Sequence, residues 1–338
     1  MRIIKGLDRY PPDAPPSVVA LGTFDGIHLG HQAVIRLAVE RARALGIPAV
    51  AVTFDPNPVV VLRPAEPPAE ILPLDERLRL IGDLGADVGV VIRFTEALSR
   101  VEAESFVRDV LLGVLRAREI VVGFNHTFGR GARGTPALLA EMAAPAGVRV
   151  HVISPSRVDG VLVSSSSVRD ALRRGDVRLT AALLGRPYSL RGPVRRGDER
   201  GRGLGFPTAN LAAPAGWLLA NGVYAGRAAW RGAGAPAVIN VGTRPTFTGG
   251  TGGTGGRRES AGGAERPGTV GEADRAGELR LVEAHLLDVA PDLYGETLSL
   301  EFLDRIRDER RFPTVDSLRA QIAADVETAR GIVGRLVP

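Results

Sequence analysis

Gly22-Thr23-Phe24-Asp25-Gly26-Ile27-His28-Leu29-Gly30-His31 decides how the first half of the chain reads, because it joins a strand pattern to a helical one. Residues 17–22 are a short apolar run of strand length, and residues 30–45 read as a helix. A strand, a glycine-containing turn and a helix N-terminus form a ready anion site, since free backbone N–H groups and the helix dipole face the ligand. His28 and His31 stand three apart and so share one face of the first turn. Two imidazoles there suit an α-phosphate that gains charge as it is attacked. Such donors act by transition-state electrostatics and need no covalent intermediate.

Outward from this turn, residues 48–54, 87–93, 119–123 and 148–154 read as further buried strands, with helical segments at 74–84, 102–115 and 136–143. That alternation predicts a parallel, doubly wound, Rossmann-like α/β sheet. Helices at 166–174 and 177–184 close this half. After Gly185 the pattern changes to strands at 191–196, 222–230, 236–242, 280–288 and 298–303, separated by Gly- and Pro-containing turns and followed by one long helix at 314–336. The second half is therefore expected to be a small antiparallel β-barrel with a C-terminal helix. The domains are placed at 1–186 and 187–338. Residues 248–278, with their Thr-Gly-Gly repeats, hold too few apolar side chains to repay the cost of ordering, so they are expected to be a flexible insertion in the second domain.

A chain of 338 residues is long enough for two cores. A hydrophobic share of 44% and a charged share of 24% fit a soluble globular protein. No run approaches the ~20 uncharged apolar residues of a membrane span. The first ten residues carry charges where a secretory signal carries its apolar stretch. With 0 cysteines there is no disulfide framework and no thiolate metal site, and the expected location is cytoplasmic. Lys and Arg number 43 against 38 Asp and Glu, a net charge of +5, yet no dense basic run interleaves with aromatics. Neither nucleic acid nor a membrane is an expected partner, and any self-association is expected to be weak or transient.

Lys5 is the only lysine. A P-loop needs its Gly-Lys-[Ser/Thr] and a protein kinase its strand lysine, so both machineries are excluded. Phosphoryl chemistry here must use glycines, helix ends, hydroxyls, arginines and a metal ion. Gly129-Arg130-Gly131-Ala132-Arg133-Gly134 matches G-x-G-x-x-G, but it does not sit on a strand end and no carboxylate follows ~20 residues on, so dinucleotide binding is not expected. A mobile Arg/Gly loop over the substrate is the expectation instead.

The His28-x-Gly30-His31 pattern resembles the nucleotidyltransferase superfamily related to class I aminoacyl-tRNA synthetases. Phe24-Asp25-Gly26 narrows the resemblance to the FMN adenylyltransferase half of bacterial bifunctional riboflavin kinase/FAD synthetases. Thr53-Phe54-Asp55-Pro56-Asn57-Pro58 agrees in order and spacing, with Asn57 where many members carry His. Val122-Gly123-Phe124-Asn125-His126-Thr127-Phe128-Gly129 resembles the family's flavin and nucleotide loop. Val163-Ser164-Ser165-Ser166-Ser167-Val168-Arg169 resembles its Ile-Ser-Ser-Thr-x-Ile-Arg motif, with Ser166 at the Thr position. A hydroxyl-rich turn before a helix, with an arginine inside it, fits the β- and γ-phosphates of ATP. The resemblance implies that Gly22, Phe24, Asp25, Gly26, Gly30, Ser164, Ser165, Ser166 and Arg169 bind ATP, that His28 and His31 serve catalysis, and that Asn57, Asn125 and Phe128 meet the flavin.

In the second half, Gly205-Phe206-Pro207-Thr208-Ala209-Asn210 resembles the signature of riboflavin kinases. Thr208 and Asn210 offer two oxygens on alternate positions of one strand, and Mg²⁺ prefers hard oxygen ligands with waters and substrate phosphates. The resemblance gives these two residues the Mg²⁺-ATP, with Gly197, Gly201, Arg202, Gly205, Phe206 and Pro207 completing the ATP site. Glu283, in Val282-Glu283-Ala284-His285, corresponds to the family's catalytic carboxylate, the base for the ribityl 5′-hydroxyl. The Asn240–Phe247, Asp292–Gly295 and Ile306–Phe312 stretches match as well, and the likeness runs from Val18 to Ala329. It implies riboflavin + ATP → FMN + ADP in the barrel and FMN + ATP → FAD + pyrophosphate in the first half. The alternatives are a nucleotidyltransferase for another phosphorylated substrate, such as pantetheine phosphate or nicotinate mononucleotide, and a flavin-binding sensor with decayed catalysis. No role is given to His126 or His285, and His151 is expected only to pack.

Overall fold

Why the 22–31 turn ends up at a ligand crevice follows from the order in which the first six strands pair. The computed structural model describes residues 1–196, 203, 205–214, 216–243 and 280–336; the 248–278 insertion and Gly197, Gly201 and Arg202 lie outside them. Strands β1 (Arg2–Lys5), β2 (Ser17–Leu21), β3 (Ala49–Asp55), β4 (Val88–Arg93), β5 (Ala117–Gly123) and β6 (Arg149–Ile153) form one sheet in the order β1-β4-β3-β2-β5-β6. Every pairing in it is parallel. The chain builds outward from β2 through β3 and β4, then returns to lay β5 on the other side of β2. The carboxyl ends of β2 and β5 are thus a topological switch point, where α/β sheets bind ligands.

Within each strand, alternate residues feed opposite layers. Val19, Leu21, Val50, Val52, Ile120 and Val122 pack with Phe106, Leu111 and Leu139 on one side. Val18, Ala20, Ala49, Ala51 and Val121 pack against Val34, Ile35 and Ala38 of the Leu29–Leu45 helix on the other. The edge strand β1 is absent from the sequence reading: only one of its four residues is buried, too few to leave a periodic signal. The expected 102–115 helix starts as one turn, Ala103–Ser105, and continues as a π-helix over Phe106–Val114. A two-residue hairpin, β7 (Arg157–Val158) with β8 (Val161–Leu162), precedes the helices Ser165–Arg173 and Val177–Leu184.

Strands β9 (Tyr188–Pro193), β10 (Ala209–Ala212), β11 (Gly222–Trp230), β12 (Ala233–Thr243), β13 (Arg280–Leu286) and β14 (Thr297–Arg307) pair antiparallel in the order β10-β13-β12-β11-β14-β9. The Arg195 N–H donates to Asn210 O at 2.8 Å, bringing the two edges together into a nearly closed barrel. Leu190, Leu211, Tyr224, Ile239, Val282, Leu300 and Phe302 fill its interior. Part of its outer face is covered by the Val315–Leu336 helix, where Val326, Ala329 and Ile332 meet Val223, Ala225 and Val238.

The barrel core does not stop at the sheet. It continues into Ile71, Leu72, Val163, Val168, Leu172, Leu183 and Leu184 of the first half. Trp217 Nε1 donates to Tyr188 Oη at 2.6 Å, and Tyr188 Oη donates to Ile71 O at 3.4 Å. Gln32 Nε2 bonds both Ile27 O (3.0 Å) and Leu184 O (2.6 Å), and Arg186 donates to Gly26 O at 2.9 Å and Ile27 O at 3.0 Å. The segment joining the halves therefore also fastens the 22–31 turn.

Candidate active sites

His28 is the N-cap of the Leu29–Leu45 helix, and its Nδ1 accepts the His31 N–H at 3.3 Å. With Nδ1 accepting, the proton of the neutral ring lies on Nε2, which is left as a donor. The two imidazoles stack with centroids 3.7 Å apart and planes 19° apart, and Phe24 meets His31 edge-on at 5.5 Å. A Cβ on Gly30 would lie 3.2 Å from the His28 ring, which is why glycine separates the histidines' turn positions. Phe24 (φ 52°) and Ile27 (φ 44°) adopt left-handed backbone without being glycine. Such strain persists only where surroundings enforce it, commonly at ligand sites.

Burial lowers the pKa of His28 to about 4, with Arg169 and Arg186 acting in the same direction. His31 is held well below its ordinary 6.5 by burial first, then by His28, Arg77 and Arg169. Near pH 7 both rings are therefore neutral donors rather than cations. His126, in the loop after β5, stacks on Phe128 at 5.8 Å, and burial lowers it to about 4 too. Between pH 6.5 and about 4 the unfolded chain takes up these protons and the folded chain does not. Stability is therefore expected to be level above that window and to fall as pH drops through it, by up to about 3 kcal/mol per buried ring. Glu119, lowered to about 2 chiefly by Arg41, adds its own loss only at lower pH. Melting temperatures at about pH 7.5 and about pH 5 check this; equal values would mean that the buried rings take protons freely.

Asp25 gathers three distant segments. Only 2% exposed, its Oδ1 accepts from Ile71 N at 3.0 Å and Leu72 N at 3.4 Å, while Oδ2 pairs with Arg169 Nη2. Arg169 Nε donates to Ala69 O at 2.9 Å, and Ser165 Oγ donates to Asp25 O at 3.0 Å. Ser164 Oγ caps the Ser165–Arg173 helix through Ser167 N at 3.1 Å, leaving Ser166 exposed on its first turn. Arg169 thus braces the histidine turn here, with two of its nitrogens on protein acceptors. Gly22 and Gly26 lie in the same turn, and a Cβ on either would press on Phe24 or Ile71.

The residues expected at the flavin divide. Asn57 is buried, and its Oδ1 caps the short Pro58–Leu62 helix through Val59 N at 3.1 Å. Asn125 is exposed at the end of β5, next to Phe124, whose 40% exposure makes it an aromatic surface the sequence reading passed over. Phe128 is instead packed into the core against Phe106 at 6.0 Å. The Gly129–Gly134 segment is tied down rather than loose. Phe128 and Gly134 exchange backbone bonds of 3.2 and 2.8 Å, and a Cβ on Gly134 would lie 2.7 Å from the Phe128 ring. Gly129, where a Cβ would lie 2.6 Å from Ala103, and Gly134 serve packing. His151 does more than pack, with Nε2 2.6 Å from Glu119 Oε2.

In the barrel, Asn210 of β10 and Asn240 of β12 both stand directly opposite Glu283 of β13. Opposite residues of antiparallel strands share a face, so the three side chains form one row. Val282, Ala284 and Leu286 point into the core, and Glu283 and His285 lie on the opposite face. Asn210 is 7% exposed and its Oδ1 has no partner among the described residues. Thr208 precedes β10 and is half-buried beside the Gly205-Phe206-Pro207 turn. His285, left without a role from sequence, donates Nδ1–H to Pro207 O at 2.8 Å and meets Phe206 edge-on at 5.4 Å, holding that turn. Partial burial raises the Glu309 carboxyl above its ordinary range, against Asn221 and Arg307 and aided by Glu283. A second carboxylate thus bears on the row. A groove of about 490 Å³ runs between the halves past Glu76, Arg186, Arg191 and Trp230, and includes none of the expected site residues.

Residues 10–167 match the FAD synthetase family model and residues 184–333 the riboflavin kinase model. The bifunctional riboflavin kinase/FMN adenylyltransferase of Escherichia coli K12 is 33% identical over 341 residues, covering 100% of both chains. That of Bacillus subtilis 168 is 34% identical over 316 residues, covering 93% of this chain and 91% of the relative. A solved Streptococcus pneumoniae structure, named a macrolide-efflux protein, superposes with a TM-score of 0.81 at 30% identity, covering 98% of this chain and 99% of its own. No described helix of this chain is long and apolar enough to cross a membrane.

Proposed function

The chain belongs to the bifunctional riboflavin kinase/FMN adenylyltransferase family, and from that premise we propose which residues carry each of its two reactions. It phosphorylates riboflavin with ATP to FMN, and transfers AMP from a second ATP to FMN to give FAD and pyrophosphate.

For adenylyl transfer we assign the anion site to residues 22–31. The helix N-terminus and the neutral N–H donors of His28 and His31 take charge from the α-phosphate as FMN attacks it. Asp25 and Arg169 hold that turn in place, and Ser164, Ser165 and Ser166 offer hydroxyls to the outer phosphates. Asn125, with Phe124, faces the flavin. The neutrality of the stacked pair supports this reading: a neutral imidazole keeps its N–H donor without changing charge over a wide range around pH 7.

For the kinase we assign Glu283 as base. The observation that carries this is the Asn210–Glu283–Asn240 row, which sets the carboxylate beside an orphaned amide oxygen. A buried oxygen without a donor suits a hard cation, so Asn210 and Thr208 would hold Mg²⁺. Bound there with ATP, Mg²⁺ neutralises phosphate charge. Glu283 takes the proton of the ribityl 5′-hydroxyl, and the Gly205-Phe206-Pro207 turn, held by His285, keeps Thr208 and Asn210 in register.

Incubating the protein with riboflavin, ATP and Mg²⁺ and separating the flavins tests the sequence of reactions. A fragment of residues 187–338 tests the division. Its sheet is complete, so it is expected to form FMN and no FAD. It loses the apolar cover of Ile71, Leu72, Val168, Leu172 and Leu184, each worth roughly 1.5–3 kcal/mol when fully buried, so it is expected to melt below the full chain. A folded fragment that binds riboflavin without forming FMN would overturn the modular assignment.

A further inference from the structure

Arg77, on the Leu74–Asp83 helix, heads the largest fully buried side chains and is 1% exposed. Its Nη1 donates to Thr23 O at 2.7 Å and lies 3.4 Å from Phe54 O and 3.5 Å from Thr53 Oγ1. Among the described residues Nε and Nη2 are buried without an acceptor and no carboxylate makes a direct ion pair with Arg77, although the exposed Glu70 carboxylate feels its charge. A buried cation is ordinarily paired, because an unpaired one loses its hydration with nothing in return. The position is as telling as the vacancy of its donors. Thr23 belongs to the turn that follows β2, Thr53 and Phe54 to the end of β3, and the charge bears on His31. The cation, with two donors unused, therefore sits beneath the helix N-terminus at the carboxyl ends of two neighbouring strands.

We propose that Arg77 is an anion-binding residue of the adenylyl-transfer site, with Nε and Nη2 reserved for phosphoryl oxygens of ATP or FMN. An arginine fork offers two parallel donors to such oxygens, and a dianion supplies the direct hydrogen-bonded ion pair that no described carboxylate makes. The turn whose Thr23 carbonyl Arg77 holds also contains Phe24 and Ile27, its two strained non-glycine positions. The rival role is a brace for the strand-end carbonyls. Thr53 Oγ1, however, already donates to Thr23 O at 2.8 Å, so a brace through Arg77 is partly redundant.

The inference rests on the adenylyl site lying at residues 22–31; if the His28/His31 variant described below keeps FAD synthesis, that reading fails whatever Arg77 does. Arg77→Met in the full chain separates ligand binding from bracing, because methionine fills the space without a charge. The ligand role predicts that the variant melts no lower than the parent and forms FMN at the parental rate. It also predicts inorganic pyrophosphate affinity, or the KM for FMN, worse by about tenfold or more, and FAD formation down by roughly 100-fold. A loss with pyrophosphate assigns the nucleotide phosphates, and a loss confined to FMN assigns the flavin phosphate. Arg77→Lys, which keeps the charge but not the fork, is expected to fall between. Parental pyrophosphate affinity together with parental FMN KM overturns the proposal, and so does a variant that fails to fold or melts far lower, which is the mark of a brace.

Discussion

FAD formation is expected to fall by at least roughly 100-fold when His28 and His31 are both replaced by alanine, because removing one preorganised donor alone commonly costs 100- to 1,000-fold. FMN formation should stay near the parental rate, since the barrel site shares no residue with this turn. The loss has two separable parts. His28 accepts the His31 N–H through Nδ1, so alanine also removes a helix cap, worth ~1 kcal/mol. Its other ring nitrogen is the donor proposed for catalysis. His28→Asn separates them, because asparagine caps helices well and carries no donor at the Nε2 position. Stability should return with the asparagine while FAD formation stays low. Because both rings are neutral near pH 7, FAD formation in the parent should not track a histidine titration between about pH 6.5 and 8. FAD synthesis at the parental rate in the double variant, measured by separating flavins after incubation with FMN and ATP, would place the phosphate site elsewhere.

Glu283→Gln is expected to lower kcat for FMN formation by about 100- to 10,000-fold, the usual contribution of a positioned base. Phosphoryl transfer through a loose transition state depends mainly on positioning, so turnover should suffer more than riboflavin affinity. Glutamine keeps the side-chain length and its place opposite Asn210 and Asn240. It also removes the negative charge that adds to the burial-driven rise of Glu309, so the Glu309 carboxyl should titrate somewhat lower in the variant. A carbon-13 titration of that carboxyl reports the second effect without reference to activity. FAD formation from supplied FMN should be normal. Riboflavin turnover at the parental rate would remove Glu283 from the chemistry, and FAD loss in step with FMN loss would mean that the two sites are not independent.

Periodicity and turn chemistry are written in neighbouring residues, and whatever depended on them alone was legible. The apolar runs at 17–22, 48–54 and 119–123, the Gly22–His31 turn and the switch to antiparallel patterning after Gly185 all reappear as elements of the fold. The single lysine excluded two kinase machineries before any coordinate was needed. β1 escaped because one buried residue in four carries no period. Phe128 was read as a ligand contact because its motif is short and local, whereas its burial against Phe106 depends on a π-helix elsewhere in the chain. Asp25 and Arg169 are 144 positions apart, and their ion pair exists only once the Ser165–Arg173 helix closes on the first turn. Asn210, Glu283 and Asn240 share a row only through strand register, which no one strand specifies. Arg77 looks like an ordinary charged helix residue until packing removes its water and leaves two of its donors without a partner among the described residues. The sequence by itself determined the elements, their order and the chemical groups at hand, because those rest on local spacing. The tertiary structure alone decided which groups meet, which are dry and which carry charge, because desolvation and register are set by segments far apart in the chain.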